Sequence, residues 1–367
     1  MKFAIDREKI LPILGNMANI TDRRPIQPIL GNILIHAEKE RCRFLATDLE
    51  VQLSASIDNP VDQEGQCTVP GRKLFDICRA LPENSQIQIH KDGEKVTVRA
   101  GNARFTLHTL PAETFPYLSI AEPACSGTCL SPALHSALNT AATAMAQNDA
   151  RFFLNGVLLE IQDSLLRCVS TDGHRLAMME IPFNSLRDTP LYQGILPRKA
   201  VIELLRLLAS NTGEATLLLA ETSFVLEQGD LQFSCKLIDA KYPEYRRVIP
   251  ENHPYLAQVD RQKLKSALQQ VSILTADKNP ATRMALNPEQ MILRAHNEEQ
   301  EDAEIEFPIH FDGPTMEIAF NIHYLLDATQ IFAEETLTMR LRDGGSSALF
   351  TSAEQGTPLY VVMPMRI

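Results

Sequence analysis

The chain has 367 residues, of which 44% are hydrophobic and 22% are charged, and its net charge is −11. This composition is typical of a soluble globular protein, and the length predicts roughly two to three domains. The chain has no run of roughly 18 apolar residues that would span a bilayer, and its start lacks the apolar stretch typical of a signal peptide. Its cysteine spacing is not typical of zinc sites. We therefore expect a cytoplasmic protein without metal or cofactor.

The predicted elements follow one order three times along the chain. The first copy opens with a short strand that leads to Asp6, a predicted helix N-cap. Strands follow the first helix, then comes a second helix over 72–81 and a further group of strands. The same order begins again at Ser131, with a second helix over 198–209, and again at Asp260, with a second helix over 322–332.

Three sequence markers recur in the first two copies. A Thr-Asp pair ends a hydrophobic run at 47–48 and again at 171–172, and two proline-containing markers follow each pair. These markers read Val69-Pro70-Gly71-Arg72-Lys73 and Phe115-Pro116-Tyr117 in the first copy, then Leu196-Pro197-Arg198-Lys199 and Tyr242-Pro243-Glu244-Tyr245 in the second. The offset of about 125 residues exceeds the 20–50 residues of solenoid repeats, so it indicates repeated domains. We predict domains at 1–125, 126–252 and 253–367.

The strands are short, and polar tight links such as 91–93, 227–230 and 343–345 join them. Such links are typical of antiparallel meanders. Helices that cover one face of an antiparallel sheet define the α+β class. We therefore predict three tandem helix-plus-antiparallel-sheet domains.

Charge is distributed unevenly among the copies. Residues 253–367 contain nine basic and 16 acidic side chains, including an acidic run over 298–306. Basic residues recur on the predicted helices, such as Arg72 and Arg79 in the first copy and Arg198 and Arg206 in the second. These residues form either solvated helix faces or, if the helices share one side, a basic surface on an acidic protein. The acidic run is either a solvated loop and strand edge or a complement to a basic surface.

Several motifs resemble the bacterial replicative sliding clamp, the beta subunit of DNA polymerase III. The resemblance runs in order from the first residue to the last. The motifs are Met1-Lys2-Phe3, Pro28-Ile29-Leu30-Gly31-Asn32, Thr47-Asp48-Leu49-Glu50, Phe75-Asp76-Ile77-Cys78-Arg79, Thr171-Asp172-Gly173-His174-Arg175-Leu176, Pro197-Arg198-Lys199, Pro243-Glu244-Tyr245-Arg246-Arg247-Val248 and Tyr360-Val361-Val362-Met363-Pro364-Met365-Arg366.

The resemblance implies a homodimer whose two protomers join head to tail into a ring around duplex DNA, with helices inside and sheets outside. It implies a processivity factor without catalytic activity, which slides without sequence specificity and tethers replicative and other DNA polymerases, the clamp loader and mismatch-repair proteins. The DNA contacts it implies are Arg24, Arg72, Arg79, Gln147, Asn148, Phe152, Phe153, Arg198, Lys199 and Arg206. Phe152 and Phe153 replace the tyrosines of relatives, and Gln147-Asn148 replaces a His-Gln pair, which changes the detailed DNA contacts expected.

The resemblance also implies a hydrophobic cleft for partner peptides and an interface between the first domain of one protomer and the third of the other. The cleft positions are Leu154, Thr171, Gly173, His174, Arg175, Leu176, Pro243, Arg247, Val248, Val361, Met363, Pro364, Met365 and Arg366. The interface positions are Lys73, Arg99, Arg104, Phe105 and Leu107, facing Ile273, Leu274, Glu298, Glu301 and Glu304.

Two alternative functions remain open from the residues alone. Asp172 and His174 place a carboxylate beside an imidazole, which in a hydrolase could act as an acid/base pair. However, the chain has no nucleophile elbow, phosphate-binding loop or His-Glu-x-x-His spacing. The second alternative is an acidic scaffold with no role on DNA.

Overall fold

The computed structural model describes residues 1–21, 26–185, 191–276, 280–352 and 357–366. Within these ranges the chain contains six α-helices and 27 strands. The helices are α1 (Arg7–Ile20), α2 (Gly71–Ala80), α3 (Ser131–Ala142), α4 (Arg198–Leu208), α5 (Arg261–Val271) and α6 (Ile322–Ile331).

The strands divide equally among the three copies. The first copy contains β1 (Lys2–Asp6), β2 (Asn32–Glu38), β3 (Arg41–Thr47), β4 (Val51–Asp58), β5 (Val61–Gln63), β6 (Gly65–Pro70), β7 (Gln86–Asp92), β8 (Lys95–Ala100) and β9 (Ala103–His108). The second contains β10 (Cys125–Leu130), β11 (Gly156–Gln162), β12 (Leu165–Thr171), β13 (Arg175–Pro182), β14 (Asn184–Ser185), β15 (Tyr192–Pro197), β16 (Glu214–Leu219), β17 (Ser223–Gln228) and β18 (Leu231–Lys236). The third contains β19 (Tyr255–Asp260), β20 (Ala281–Asn287), β21 (Gln290–His296), β22 (Asp302–Pro308), β23 (His310–Phe311), β24 (Met316–Asn321), β25 (Thr336–Leu341), β26 (Ala348–Thr351) and β27 (Leu359–Val362).

Each copy has the same order of elements in the described ranges. One strand leads to one helix, then five strands, a second helix and three strands. The three predicted second helices match α2, α4 and α6 to within one residue at each end. The predicted α+β class with three tandem copies is therefore confirmed, whereas the domain boundaries at 125 and 252 stay predictions.

The chain forms two compact units. The first unit is Met1–His135 with Phe183–Ile238, and the second is Ser136–Pro182 with Asp239–Ile367. In the first unit the strand orders are β5-β1-β7-β8-β9 and β14-β10-β16-β17-β18-β4-β3-β2-β6. The second unit contains the orders β11-β12-β13-β27-β26-β25-β19-β23 and β22-β21-β20-β24.

One strand pairing joins successive copies inside each unit. In the first unit β4 pairs antiparallel with β18, with Leu53 opposite Phe233. In the second unit β13 pairs antiparallel with β27, with Leu176 opposite Val361. β4 and β13 are each the fourth strand of their copy, while β18 and β27 are each the last. Because all four of these side chains are buried, the joints are continuous with the cores.

The equivalent strands β22 and β9 lie at sheet edges. β22 is the fourth strand of the third copy, and β9 is the last strand of the first. Among the described residues, each pairs with one neighbouring strand only, β22 with β21 and β9 with β8. An edge strand exposes backbone N–H and C=O groups that can pair with another chain.

The helices are positioned by apolar faces and by close approach of the backbone. Leu74 and Cys78, one turn apart in α2, are both buried. A Cβ at Gly71 would lie 2.9 Å from Ile33 Cγ1, so this helix start requires glycine. In α4, Ile202 and Leu205 are half-buried. The fully buried residues of α4 are Ala200, Val201, Glu203, Leu204, Leu207 and Leu208.

The predicted caps differ between copies. Asp260 accepts a hydrogen bond from the Lys263 backbone N–H at 3.0 Å and so caps α5. Asp6 occupies the N-cap of α1 but makes no side-chain cap bond, and its carboxylate lies 3.4 Å from Lys9 Nζ.

Candidate functional site

The Thr-Asp marker of the second copy forms a closed turn between β12 and β13. The Thr171 hydroxyl donates to the Arg175 carbonyl at 2.6 Å and accepts from the Gly173 N–H at 3.1 Å. Asp172 Oδ1 accepts from the N–H groups of His174 and Arg175 at 2.9 and 3.0 Å. Gly173 has φ +89°, a conformation in which glycine is favoured. The marker therefore fixes the direction of the turn.

The first copy forms the same turn. The Thr47 hydroxyl donates to the Val51 carbonyl at 2.9 Å and accepts from the Leu49 N–H at 3.0 Å. Asp48 Oδ1 accepts from the N–H groups of Glu50 and Val51 at 2.9 and 2.8 Å. Residue by residue, this is the hydrogen-bond pattern of the second copy, and it explains why Thr-Asp recurs.

The turns differ in what neutralises the second carboxylate oxygen. In the first copy Asp48 Oδ2 pairs with the Lys199 ammonium, which comes from α4. In the second copy Asp172 Oδ2 accepts from Arg175 Nε at 3.0 Å. Lys199, a predicted DNA contact, therefore already has a carboxylate partner within the chain.

Arg175 lies at the centre of a charged and aromatic cluster. Its Nη1 contacts the carboxylate of Asp327 on α6 and donates to the Tyr360 hydroxyl at 3.1 Å. The guanidinium lies 4.3 Å from the ring centroid of Tyr324, within cation–π distance. Burial alone would lower the pKa of Arg175, but Tyr360, Asp327 and Asp172 outweigh it and raise that pKa. Arg175 therefore remains charged and links β13 to α6.

The C-terminal tail forms the neighbouring wall. The N–H of Met363 donates to the His174 carbonyl, and the N–H of Met365 donates to the Ala319 carbonyl on β24, both at 2.8 Å. Met363, Pro364 and Met365 are half-buried. A groove of about 630 Å³ follows this tail. Its lining residues are Arg283, Glu317, Ala319, Gly344, Gly345, Met363, Pro364, Met365 and Arg366.

The predicted cleft residues come together in the second unit. The pairing of β13 with β27 brings Leu176 beside Val361. Leu154, Leu176 and Val361 are buried, whereas His174 and Val248 are exposed. Tyr242 accepts a hydrogen bond from the Thr171 N–H at 3.0 Å, which places the segment with Pro243, Arg247 and Val248 beside the turn. The role of these residues in binding stays a prediction.

Sequence reasoning missed several contributors to this region. Tyr324 and Asp327 on α6 surround Arg175, and Ala319 receives the tail. Asp327 is the one acidic residue in the helix Ile322–Ile331. An isolated carboxylate in this helix could have indicated a charged contact, but the sequence could not show that its partner is Arg175, 152 positions away.

The predicted DNA contacts lie in both units. Arg24 is outside the described residues. Arg72, Arg79 and Arg206 are exposed, and two of them pair within their own helices, Arg79 with Asp76 at 3.0 Å and Arg206 with Glu203 at 2.5 Å. Arg198 is half-buried. These side chains lie on α2 and α4, as predicted, but their contact with DNA stays a prediction.

The loop before β11 contains the remaining predicted DNA contacts. Gln147 and Asn148 are exposed, Phe152 is 55% exposed, and Phe153 is half-buried. The two phenylalanine rings meet edge to face at 5.9 Å. Arg151 donates to both oxygens of Asp149, at 3.0 and 2.8 Å, and so holds the pKa of that carboxyl at about 2. Arg151 also donates to the Asp172 carbonyl at 3.2 Å, which links the loop to the Thr-Asp turn.

The geometry gives the hydrolase alternative no support. Both Asp172 oxygens are occupied, Oδ1 by two backbone N–H groups and Oδ2 by Arg175. In the described ranges, no group of three or more His, Cys, Asp and Glu side chains is placed to hold a metal ion. All seven cysteines are buried. Among the described helices, none has the length and apolar character needed to cross a membrane.

The chain has the features of a class of multidomain binding proteins: repeated α+β copies that join through strand pairing, and a groove. Comparison with known proteins identifies this class. Family models described as the N-terminal, central and C-terminal domains of the DNA polymerase III beta subunit match residues 1–119, 130–244 and 246–366. The beta sliding clamps of Pseudomonas putida and Escherichia coli K12 are 39% and 36% identical to this chain, each match covering 100% of both sequences. The crystal structure of the Pseudomonas aeruginosa DNA polymerase III subunit beta matches with a TM-score of 0.96 at 38% identity, over 100% of both chains.

The chain belongs to the DNA polymerase III beta subunit family, the bacterial sliding clamps. Its function is that of a processivity factor in DNA replication. Neither a hydrolase nor an acidic scaffold without a DNA role is supported by these comparisons.

The Arg175 cluster predicts a large effect of one substitution. Arg175→Met leaves the carboxylates of Asp172 and Asp327 without their shared cation. We therefore expect the free energy of unfolding to fall by about 3 kcal/mol. Arg283→Met is the matched control, because Arg283 pairs with Glu317 at 3.1 Å on the exposed surface and should cost less than about 1 kcal/mol. Denaturant unfolding of both variants measures the difference. Equal losses would show that Arg175 is no more important than a surface ion pair.

Proposed function

We propose that two copies of this chain close head to tail into a ring around duplex DNA. The single observation that carries this proposal is that the edge strands β22 and β9 are equivalent to the strands that pair between copies within the chain. Fourth and last strands pair at β4–β18 and at β13–β27. The remaining fourth strand, β22, and the remaining last strand, β9, are edges within the described chain. If β22 of each protomer pairs with β9 of the other, the same joint recurs and neither of these two strands is left as an open edge.

Side chains near these edges support the pairing. On β9, Phe105 and Leu107 point to one side and are half-exposed. Ile273 is 78% exposed, unusual for a large aliphatic side chain, and Leu274 beside it is half-buried. Burial of such an apolar patch stabilises an interface. These four residues are the proposed apolar centre of the dimer contact.

Charge complementarity supports the same pairing. Lys73, Arg99 and Arg104 are exposed in the first copy, and Glu298, Glu301 and Glu304 are exposed in the third. Glu304 already lies 2.5 Å from Arg294 within its own chain, so Glu298 and Glu301 are the better candidates for pairing across the interface. Complementary charges of this kind chiefly set orientation and the rate of association.

The ring needs only weak, phosphate-directed contacts with DNA, and such contacts permit sliding. The helices α2 and α4 supply Arg72, Arg79, Arg198 and Arg206, with Arg24 and the loop residues Gln147, Asn148, Phe152 and Phe153 as further proposed contacts. Lys199 contributes less in this proposal, because its ammonium pairs with Asp48. We infer no catalytic activity and no cofactor, and a cytoplasmic location.

The predicted cleft, which shares residues 363–366 with the groove beside the C-terminal tail, is the proposed site for short peptide segments of DNA polymerases, the clamp loader and mismatch-repair proteins. Methionine side chains adapt to differently shaped apolar ligands, and Met363 and Met365 are half-buried at this wall. Tethering a polymerase raises its effective concentration at the primer end. That effect is the physical basis of processivity.

The ring predicts topological retention on DNA. After loading onto nicked circular DNA, the protein should stay bound through gel filtration in high salt, because screening weakens phosphate contacts but cannot open a closed ring. After the circle is cut once, the protein should run off the ends. Equal retention or equal loss on both DNA forms would exclude encirclement.

The interface predicts a shift in oligomeric state. Ile273→Ala together with Leu274→Ala removes apolar area from the proposed contact, so sedimentation velocity should show more monomer than in the parent protein. Leu130→Ala is the control, since Leu130 is 61% exposed and lies outside this surface. An unchanged sedimentation profile in the double variant would refute the assignment.

The cleft predicts a separation of functions. Deletion of residues 363–367 removes the tail wall and its bonds to His174 and Ala319, so affinity for a peptide copied from the clamp-binding segment of the replicative polymerase should fall below detection. The dimer should persist, because the tail bonds to β24, which lies at the opposite edge of its sheet from β22. Fluorescence anisotropy and sedimentation measure the two properties. Unchanged peptide affinity would place the binding site elsewhere.

A further inference from the structure

A buried carboxylate lies beneath the segment that supplies one wall of the cleft. Glu160 on β11 is 0% exposed. Its Oε1 accepts from the Tyr245 hydroxyl at 2.9 Å and from Arg167 Nη1 at 3.3 Å, and it also contacts the Arg246 guanidinium. Burial raises the pKa of Tyr245, so its hydroxyl stays protonated and donates. The carboxylate therefore joins a sheet strand to the Tyr245–Val248 helical turn.

Within the sheet, this network consists of side chains that lie opposite one another on three neighbouring strands. Arg167 on β12 lies directly opposite Glu160 on β11 and Glu180 on β13. Arg167 Nε donates to Glu180 Oε2 at 2.7 Å. Arg246 covers the ring of Tyr245, with 5.0 Å from the guanidinium carbon to the ring centroid. Arg167 therefore bonds to both glutamates, and Glu160 in addition receives Tyr245 and Arg246.

The cleft wall is thus fixed at two points. Tyr242 holds one end through the Thr171 N–H, and Tyr245 with Arg246 holds the other through Glu160. The proposed cleft residue Pro243 lies between the two anchors. Arg247 and Val248 follow the second anchor directly.

The equivalent row in the first copy has no such network. Arg43 precedes Thr47 by four positions, as Arg167 precedes Thr171. The cross-strand neighbours of Arg43 are His36 and Ser56, in place of the two glutamates. Counted from the Phe115-Pro116-Tyr117 marker, Leu118 and Ser119 stand where the second copy has Tyr245 and Arg246. Glu160 and its partners Tyr245 and Arg246 therefore occur together in the second copy, the copy whose Thr-Asp turn continues as Gly173-His174-Arg175.

Burial of a carboxylate is costly, and a buried ion pair is weak evidence for stability, because apolar replacements are often neutral. A network that is missing from the equivalent row of the first copy is better explained by the position it enforces. We propose that Glu160 is a positioning residue of the peptide cleft, which holds Tyr245 and Arg246 so that Pro243, Arg247 and Val248 face the bound peptide. This inference rests on the proposed peptide-binding function of the cleft.

The test uses the full-length dimer and the fluorescent polymerase peptide described above. Glu160→Gln removes the charge with little change of volume, and Tyr245→Phe removes one bond while keeping the ring, should the first variant fold poorly. We expect each variant to weaken peptide binding about five- to tenfold at a temperature far below its unfolding, a coupling of the size usual for residues in one network. Glu227→Gln is the matched control, because Glu227 is a half-buried strand glutamate of the same copy that bonds to Gln232 and not to this network, and it should change affinity less than about twofold.

A double-mutant cycle separates positioning from stability. In an Arg246→Ala background, Glu160→Gln should cause little further loss of affinity, because both substitutions release the same segment. Additive losses, or a lowered melting temperature with unchanged peptide affinity, would overturn the positioning role. If the parent protein itself fails to bind the peptide, the proposed cleft function fails instead, and that outcome is distinct from the other two.

Discussion

The architecture depends on one repeated interaction, the antiparallel pairing of the fourth strand of one copy with the last strand of another. Backbone hydrogen bonds make this joint tolerant of side-chain differences, so copies with little sequence in common can still be joined in the same way. Buried pairs such as Leu53 with Phe233 and Leu176 with Val361 extend the core through each joint. The proposed ring requires no new kind of contact, since β22 and β9 belong to the same two strand classes.

Specialisation of the copies starts from a shared turn. The Thr-Asp hydrogen bonds are the same at 47–51 and 171–175, but the free carboxylate oxygen is neutralised by Lys199 in one copy and by Arg175 in the other. Arg175 also reaches Asp327 and Tyr360, so it fixes the strand, the helix α6 and the base of the tail together. One copy thus has a rigid base on which a groove can form.

Electrostatics on the helices fits sliding better than tight binding. Arg79 and Arg206 each pair with an acidic residue three positions earlier in the same helix, and Lys199 pairs with Asp48. In the proposed function, cations that already have carboxylate partners gain little by contacting phosphates, because each new contact replaces an existing one. A grip that comes from closure of a ring does not need a larger gain.

The sequence by itself determined the repeat, the order of elements and the bounds of the second helices, because hydrophobic periodicity, proline and turn residues act locally. It also indicated the tail, the Thr-Asp turns and the basic residues of α2 and α4. The tertiary structure decided which of those charges have partners within the chain, how the middle copy is divided between two compact units, that Tyr324 and Asp327 surround Arg175, and that Glu160 lies beneath the Tyr245–Val248 turn. Those facts depend on partners more than 80 positions apart, such as Glu160 with Arg246 and Arg175 with Asp327. No local pattern encodes such contacts, since they arise only when the sheets bring distant strands together.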